Sequence, residues 1–107
     1  MMIAHNVYFT LGDNSPAAVQ AMIEDCHRYL AGLPGIVFYA SGTCSDVDRS
    51  SSDRDYDVAL HVVFQDRATL DAYITAPKHV AFMEKHEANW KDVRVFDSCV
   101  SRAYSPT

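Results

Sequence analysis

The chain has 107 residues, enough for one core and too few for two, and 49% of them are apolar against 21% charged, the balance of a globular protein and not of a disordered one. The formal charge is −5 and no basic cluster is interleaved with aromatic residues, so the attraction that dominates nucleic-acid affinity is missing. No apolar run is long enough to cross a bilayer and the opening "MMIAHNVYF" has no basic leader segment, so the expectation is a cytoplasmic protein of one domain over residues 1–107, with no membrane or nucleic-acid partner.

Residues 3–11, "IAHNVYFTL", alternate: His5, Val7, Phe9 and Leu11 share one face of a strand, and Ala4, Asn6, Tyr8 and Thr10 the other. Ser15 before Pro16 reads as an N-cap followed by a proline at the first helical position. Val19, Met22, Ile23, Cys26 and Leu30 then recur at helical spacing and give one apolar stripe. Gly32, Pro34 and Gly35 stop that helix, since glycine takes the left-handed cap and proline cannot continue the ladder. A second strand restarts in "GIVFYASGT", rich in β-branched and aromatic residues.

The next segment, "CSDVDRSSSDRD", is too poor in apolar side chains to pack, and an acidic, serine-rich mobile loop is expected over about residues 45–55. Asp46, Asp48, Ser50 and Ser52 alternate as the first ligands of a calcium loop do. Ser51, however, stands where that loop needs glycine and Asp57 where it needs glutamate, so a solvated loop is the reading.

In the third strand, "YDVALHVVF", Val58, Leu60, Val62 and Phe64 lie on one face and Asp57, Ala59, His61 and Val63 on the other. Both faces are mainly apolar at the centre, so something besides helices must cover the second one, and a second copy of the chain is the simplest candidate. Asp66 can cap a short helix carrying Leu70, Tyr73 and Ile74, and Pro77 opens another helical stretch through "KHVAFMEKHEANW". "DVRVFDSCV" is the fourth strand. The order β-α-β-β-α-β predicts an α+β, ferredoxin-like sandwich: a four-stranded antiparallel sheet with helices on one face.

"HNVYFTL", "LPGI", "YDVALHVVF", "LDAYITAPKHVAF" and "VRVFD", in this order and spacing, make the chain resemble the Dabb family of stress-responsive dimeric α/β-barrel domains. The resemblance implies a homodimer in which two sheets face each other as a barrel, and a cavity between each sheet and its own helices. A plant polyketide cyclase of that family uses a tyrosine and a histidine in this cavity for an aldol condensation. Its motif falls on Tyr73 and His79, and its first-strand histidine on His5; Val58 and Ala76 stand where it has further histidines. The implied ligand is small and apolar or aromatic, held among Val7, Phe9, Val58, Leu60 and Phe82. No cofactor is implied.

Read from the residues themselves, His79 lies in the first turn of a helix, where the dipole disfavours imidazolium and keeps the ring neutral. A neutral His79 can act as a general base while Tyr73 donates to a developing enolate oxygen. Equally, the two can be a pair that closes the end of the core with no substrate. A non-catalytic assembly protein and a monooxygenase of the wider dimeric α/β-barrel group share the same element order. His61 is aimed at the dimer side of the sheet, His27 at solvent, and Lys78 at the pocket mouth, while Trp90 packs the end of the helix. Only His5 and His79 converge among potential metal ligands, so no metal is expected. Cys26, Cys44 and Cys99 lack a CxxC spacing and read as reduced thiols, with a Cys44–Cys99 pair open if two strand ends meet.

Overall fold

A computed structural model describes residues 1–105. Strand β1 (Ile3–Leu11) leads into helix α1 (Pro16–Leu30), followed by β2 (Ile36–Thr43) and β3 (Val58–Phe64). Helices α2 (Arg67–Thr75) and α3 (Pro77–His86) then precede a 3-10 turn at Glu87–Asn89 and the last strand, β4 (Trp90–Cys99). The sheet runs β2-β3-β1-β4 with every neighbouring pair antiparallel. This is the ferredoxin-like α+β sandwich that the element order predicts. Two boundaries differ: the last helix stops at His86, and β4 starts at Trp90, ahead of the expected Asp92.

The alternation of β1 is realised residue by residue, with Ile3, His5, Val7, Phe9 and Leu11 buried. Ile3, Val7, Phe9 and Leu11 form one core with Val58, Leu60, Val62 and Phe64 of β3, with Met22, Cys26 and Leu30 of α1, and with Leu70, Tyr73 and Phe82. Each such aliphatic or aromatic burial contributes about 2 kcal/mol. Ser15 Oγ accepts from the Ala18 amide at 3.3 Å and so caps α1. Asp66 caps α2 more completely: its carboxylate accepts from the Thr69 amide at 2.9 Å, and the Thr69 hydroxyl takes the Asp66 amide in return. That cap fixes the helix on which Tyr73 rides.

Asp25 is a buried carboxylate that ties α1 to the end of α3, accepting from His86 Nε2 at 2.7 Å and from Lys85 Nζ at 2.8 Å. Burial acts to raise its pKa, yet the hydrogen bonds from Lys85 and His86 outweigh it and hold the carboxyl below the ordinary 3.8. The stability this pairing contributes is therefore present above the unfolded value of about 4 and is lost as pH falls through the lower folded value. Asp25→Ala is expected to cost about 2 kcal/mol, because it leaves His86 unpaired in a partly buried place while Lys85 turns to solvent. Urea unfolding at neutral pH and at acid pH checks this, since the cost should shrink in acid. This contact also gives His86 a structural place at the end of α3.

The segment between β2 and β3 has no regular structure, in line with its composition, but it is tied down. Arg94 donates to both carboxylate oxygens of Asp53, at 2.5 and 3.3 Å, and to the Asp55 carbonyl at 2.9 Å. Asp57 accepts from the Leu11 amide at 2.8 Å. The Tyr56 ring packs edge-on to Tyr8, with centroids 4.9 Å apart. The cysteines are free, and Cys44 and Cys99 lie at opposite edges and opposite ends of the sheet, so the strand ends that carry them do not meet. His61 points to the face away from the helices and bonds Asn6 at 2.8 Å, as strand direction requires, and His27 is exposed.

Candidate functional site

Between the sheet and helices α2 and α3 lies a cavity of about 240 Å3. β1 gives it a floor of Val7 and Phe9, and Leu60 extends that floor from β3. Phe82 and Met83 face it from α3, one turn after His79. His5, Tyr73 and His79 form its polar end. Of the residues the sequence assigned to ligand contact, Val7, Phe9, Leu60 and Phe82 line the cavity; Val58 is fully buried in the core and does not. Its partner across the sheet is Phe9, which pairs on its other side with Val93 of β4, and both of these line the cavity.

Leu30, Ile74, Met83, Trp90, Val93 and Val95 complete the wall. Val93 and Val95 face the same side as Phe9 and Val7, their neighbours across the sheet, yet they stay 37% and 49% exposed because β4 is an edge strand. Trp90 packs against Phe82 of α3 at 5.9 Å, as expected, but it does so as the first residue of β4, lies tilted on Phe9 at 4.9 Å and also takes part in the cavity wall. Lys78 is exposed and stands outside the lining.

The three sequence-assigned polar residues do come together. The Tyr73 ring is tilted against His79 with centroids 4.7 Å apart, and it meets His5 edge-on at 6.0 Å and Phe64 at 4.8 Å. His5 Nδ1 is bonded to Asp97 Oδ1 at 2.5 Å, from the residue opposite it on β4. Among the described residues, the Tyr73 hydroxyl and His79 Nδ1 are closed to solvent and have no hydrogen-bond partner. Such groups cost free energy when left unpaired, on the order of 1–3 kcal/mol each. Trp90 Nε1 is in the same condition.

Burial pushes the Tyr73 hydroxyl well above the ordinary phenol value of 10, so it is a proton donor at neutral pH. Burial also lowers the pKa of His79 from the ordinary 6.5, with the nearby His5 ring adding to the effect and the Ile74 backbone opposing it. The helix position noted in the sequence is real, His79 being the third residue of α3, but desolvation leads the causes. His79 is thus a neutral base at pH 7. Because the unfolded chain takes up this proton first, stability is expected to fall as pH drops below about 6.5 and to level off below the folded value. Melting curves of wild type and His79→Gln over roughly pH 5 to 7.5 check this; the slope should be shallower in the variant.

Asp97 has no place in the sequence reading, although it stands in the quoted "VRVFD". The only signal for it is strand register, which sets Asp97 against His5 and which alternation within one strand does not reveal. Among the described residues no helix is long and apolar enough to cross a membrane, and no three side chains of metal-ligating type come together.

Solved structures share this architecture. A dimeric ferredoxin-like protein of unknown function from Thermobifida fusca is 23% identical, with a TM-score of 0.77 over 94% of this chain and 92% of that one. A Dabb family protein with a ferredoxin-like fold from Mesorhizobium loti is 24% identical, with a TM-score of 0.77 over 92% and 96%. A hydroxynitrile lyase from Passiflora edulis is 16% identical, with a TM-score of 0.76 over 97% of each chain. No curated protein matches the chain. The family model of the stress-responsive A/B barrel domain, Dabb, matches residues 3–100, and the chain belongs to that family.

Proposed function

We propose that the cavity takes a small, mainly apolar carbonyl compound, aromatic or polyketide-like, and that Tyr73 and His79 move a proton at the carbon next to its carbonyl. The observation that carries this is the pair of polar groups, Tyr73 hydroxyl and His79 Nδ1, left without partners among the described residues at the polar end of a mainly apolar wall. A core that evolved for packing alone satisfies such groups or replaces them. In the step itself the carbon–hydrogen bond breaks, His79 takes the proton, and the electron pair moves onto the carbonyl oxygen as an enolate. Tyr73 donates a hydrogen bond to that oxygen. Addition of the enolate to a second carbonyl, as in a cyclisation, or its reprotonation both follow from the same pair of residues.

The test is a thermal-shift screen of aromatic ketones, 1,3-diketones and aryl thioesters against wild type and His79→Ala. A ligand held by this site raises the melting temperature of the wild type by mass action and loses that effect in the variant. Hits that stabilise both proteins alike, or none in all three sets, count against the reading.

The protein works as a homodimer that closes the free face of the sheet. Phe38 and Phe96 are each 57% exposed on that face, beside Tyr8 and His61, and the T. fusca relative is dimeric. An apolar sheet face of this kind is covered in a stable protein. Sedimentation at micromolar concentration is expected to give the mass of two chains, and Phe96→Asp to shift it to one. A wild-type monomer overturns the barrel arrangement.

A further inference from the structure

His5 lies on the wall between two spaces. On one side is the apolar cavity with Tyr73 and His79; on the other is an open cleft of about 400 Å3 of mixed lining, where Arg67, Asp71 and Asp97 stand beside Ile3, Leu70 and Ile74. The His5 side chain is 8% exposed, and among the described residues the one bond it makes is Nδ1 to Asp97 Oδ1. The Asp97 side chain is 46% exposed and opens to the cleft. A carboxylate oxygen only accepts, so the proton in that bond is on Nδ1. In the neutral ring Nε2 then carries a lone pair, and because the two ring nitrogens diverge, that lone pair is turned away from Asp97.

We infer that Asp97 is a positioning residue: it holds His5 in the Nδ1–H tautomer, so that Nε2 is a second proton acceptor for the cavity, backed by a carboxylate able to stabilise the imidazolium. The role as acceptor rests on the carbonyl-ligand reading given above; the tautomer does not. The charge pattern supports this division of work. His79 has no carboxylate partner, whereas His5 has one in direct contact. A proton arriving at Nε2 turns the pair into an ion pair in place, next to a cleft that water reaches, with Arg67 engaged by Asp71 at 3.0 Å and not by Asp97. A group that only pins β1 to β4 needs no second nitrogen at the cavity.

The experiment reads the ring nitrogens of His5 by NMR in 15N-labelled, ligand-free protein at pH 8, and then follows deuterium uptake at the methyl group of acetophenone in D2O. The expected wild-type signature is protonated Nδ1 and unprotonated Nε2. In Asp97→Ala it should move toward the Nε2–H form that free imidazoles favour, and in Asp97→Glu it should stay. The exchange rate is expected to fall about tenfold or more in Asp97→Ala at unchanged KM, and to be rescued by Asp97→Glu. Asp97→Asn, which keeps the volume, serves if the alanine variant does not fold. A wild-type His5 with Nε2 protonated, or a tautomer indifferent to Asp97, overturns the positioning claim. An unchanged exchange rate in Asp97→Ala overturns the acceptor role. If wild type shows the expected tautomer and no exchange, it is the catalytic use of the cavity that fails, and the acceptor role with it, while the positioning claim stands.

Discussion

Gly35→Ala is expected to cost the fold about 4 kcal/mol, a large fraction of the stability of a domain this size. Two terms add. Gly35 has φ +86°, a left-handed conformation that costs a side-chain-bearing residue about 1–2 kcal/mol. A Cβ there would also sit 2.4 Å from Thr69 Cβ, so backbone or helix must give way, at about 1–3 kcal/mol. Gly32 supplies the control, for its φ is +84° but nothing lies within 4 Å of an added Cβ. Gly32→Ala should show the first term alone. Urea midpoints of the two variants separate the terms, and equal midpoints would mean that the Thr69 contact is slack. The consequence reaches the site, because Thr69 belongs to the cap of α2 and Tyr73 lies one turn further along that helix.

His79→Ala is expected to abolish proton transfer while leaving the fold intact. With acetophenone in D2O the wild-type rate of methyl deuteration should exceed that of the variant by about 10² to 10⁴, the range that a positioned general base supplies. Tyr73→Phe should lose about 10² to 10³, as removal of a donor at a developing oxyanion does. Their pH profiles carry the sign. Burial lowers the pKa of His79, so the base form persists below pH 6.5 and the wild-type rate should hold on the alkaline side and fall only as pH drops through the lowered value. A rate that instead kept rising with pH above 7 would assign the base to another group. His79→Ala is tolerable structurally because the ring is only half-buried and its Nδ1 has no hydrogen-bond partner among the described residues.

The elements were legible because each carries a local signal: strict alternation in β1, a serine–proline start in α1, Asp66 before α2, and Pro77 at the head of α3. The same alternation put His5 on the helix side, and the short spacing from Tyr73 to His79 brought two of the polar groups together. What single-element patterns do not carry is who stands opposite whom. Asp97 meets His5, Asp25 meets His86, and Arg94 meets Asp53 across 92, 61 and 41 residues of chain. Trp90 and Val58 show the same limit from the other side. Both sit where apolar residues are expected, but only the assembled structure shows that Trp90 borders the cavity while Val58 is wholly enclosed in the core.

A titration of methyl- and aromatic-labelled protein with acetophenone, followed by NMR, tests the central claim most directly. Shifts are expected at Val7, Leu60, Phe82, Met83 and Val95 around the cavity, with His79 and Tyr73 responding together, and none at Phe38 on the opposite face of the sheet. Saturable shifts confined to Phe38, Phe96 and Tyr8, or no saturable shifts anywhere, would contradict a carbonyl-binding site between the sheet and its helices.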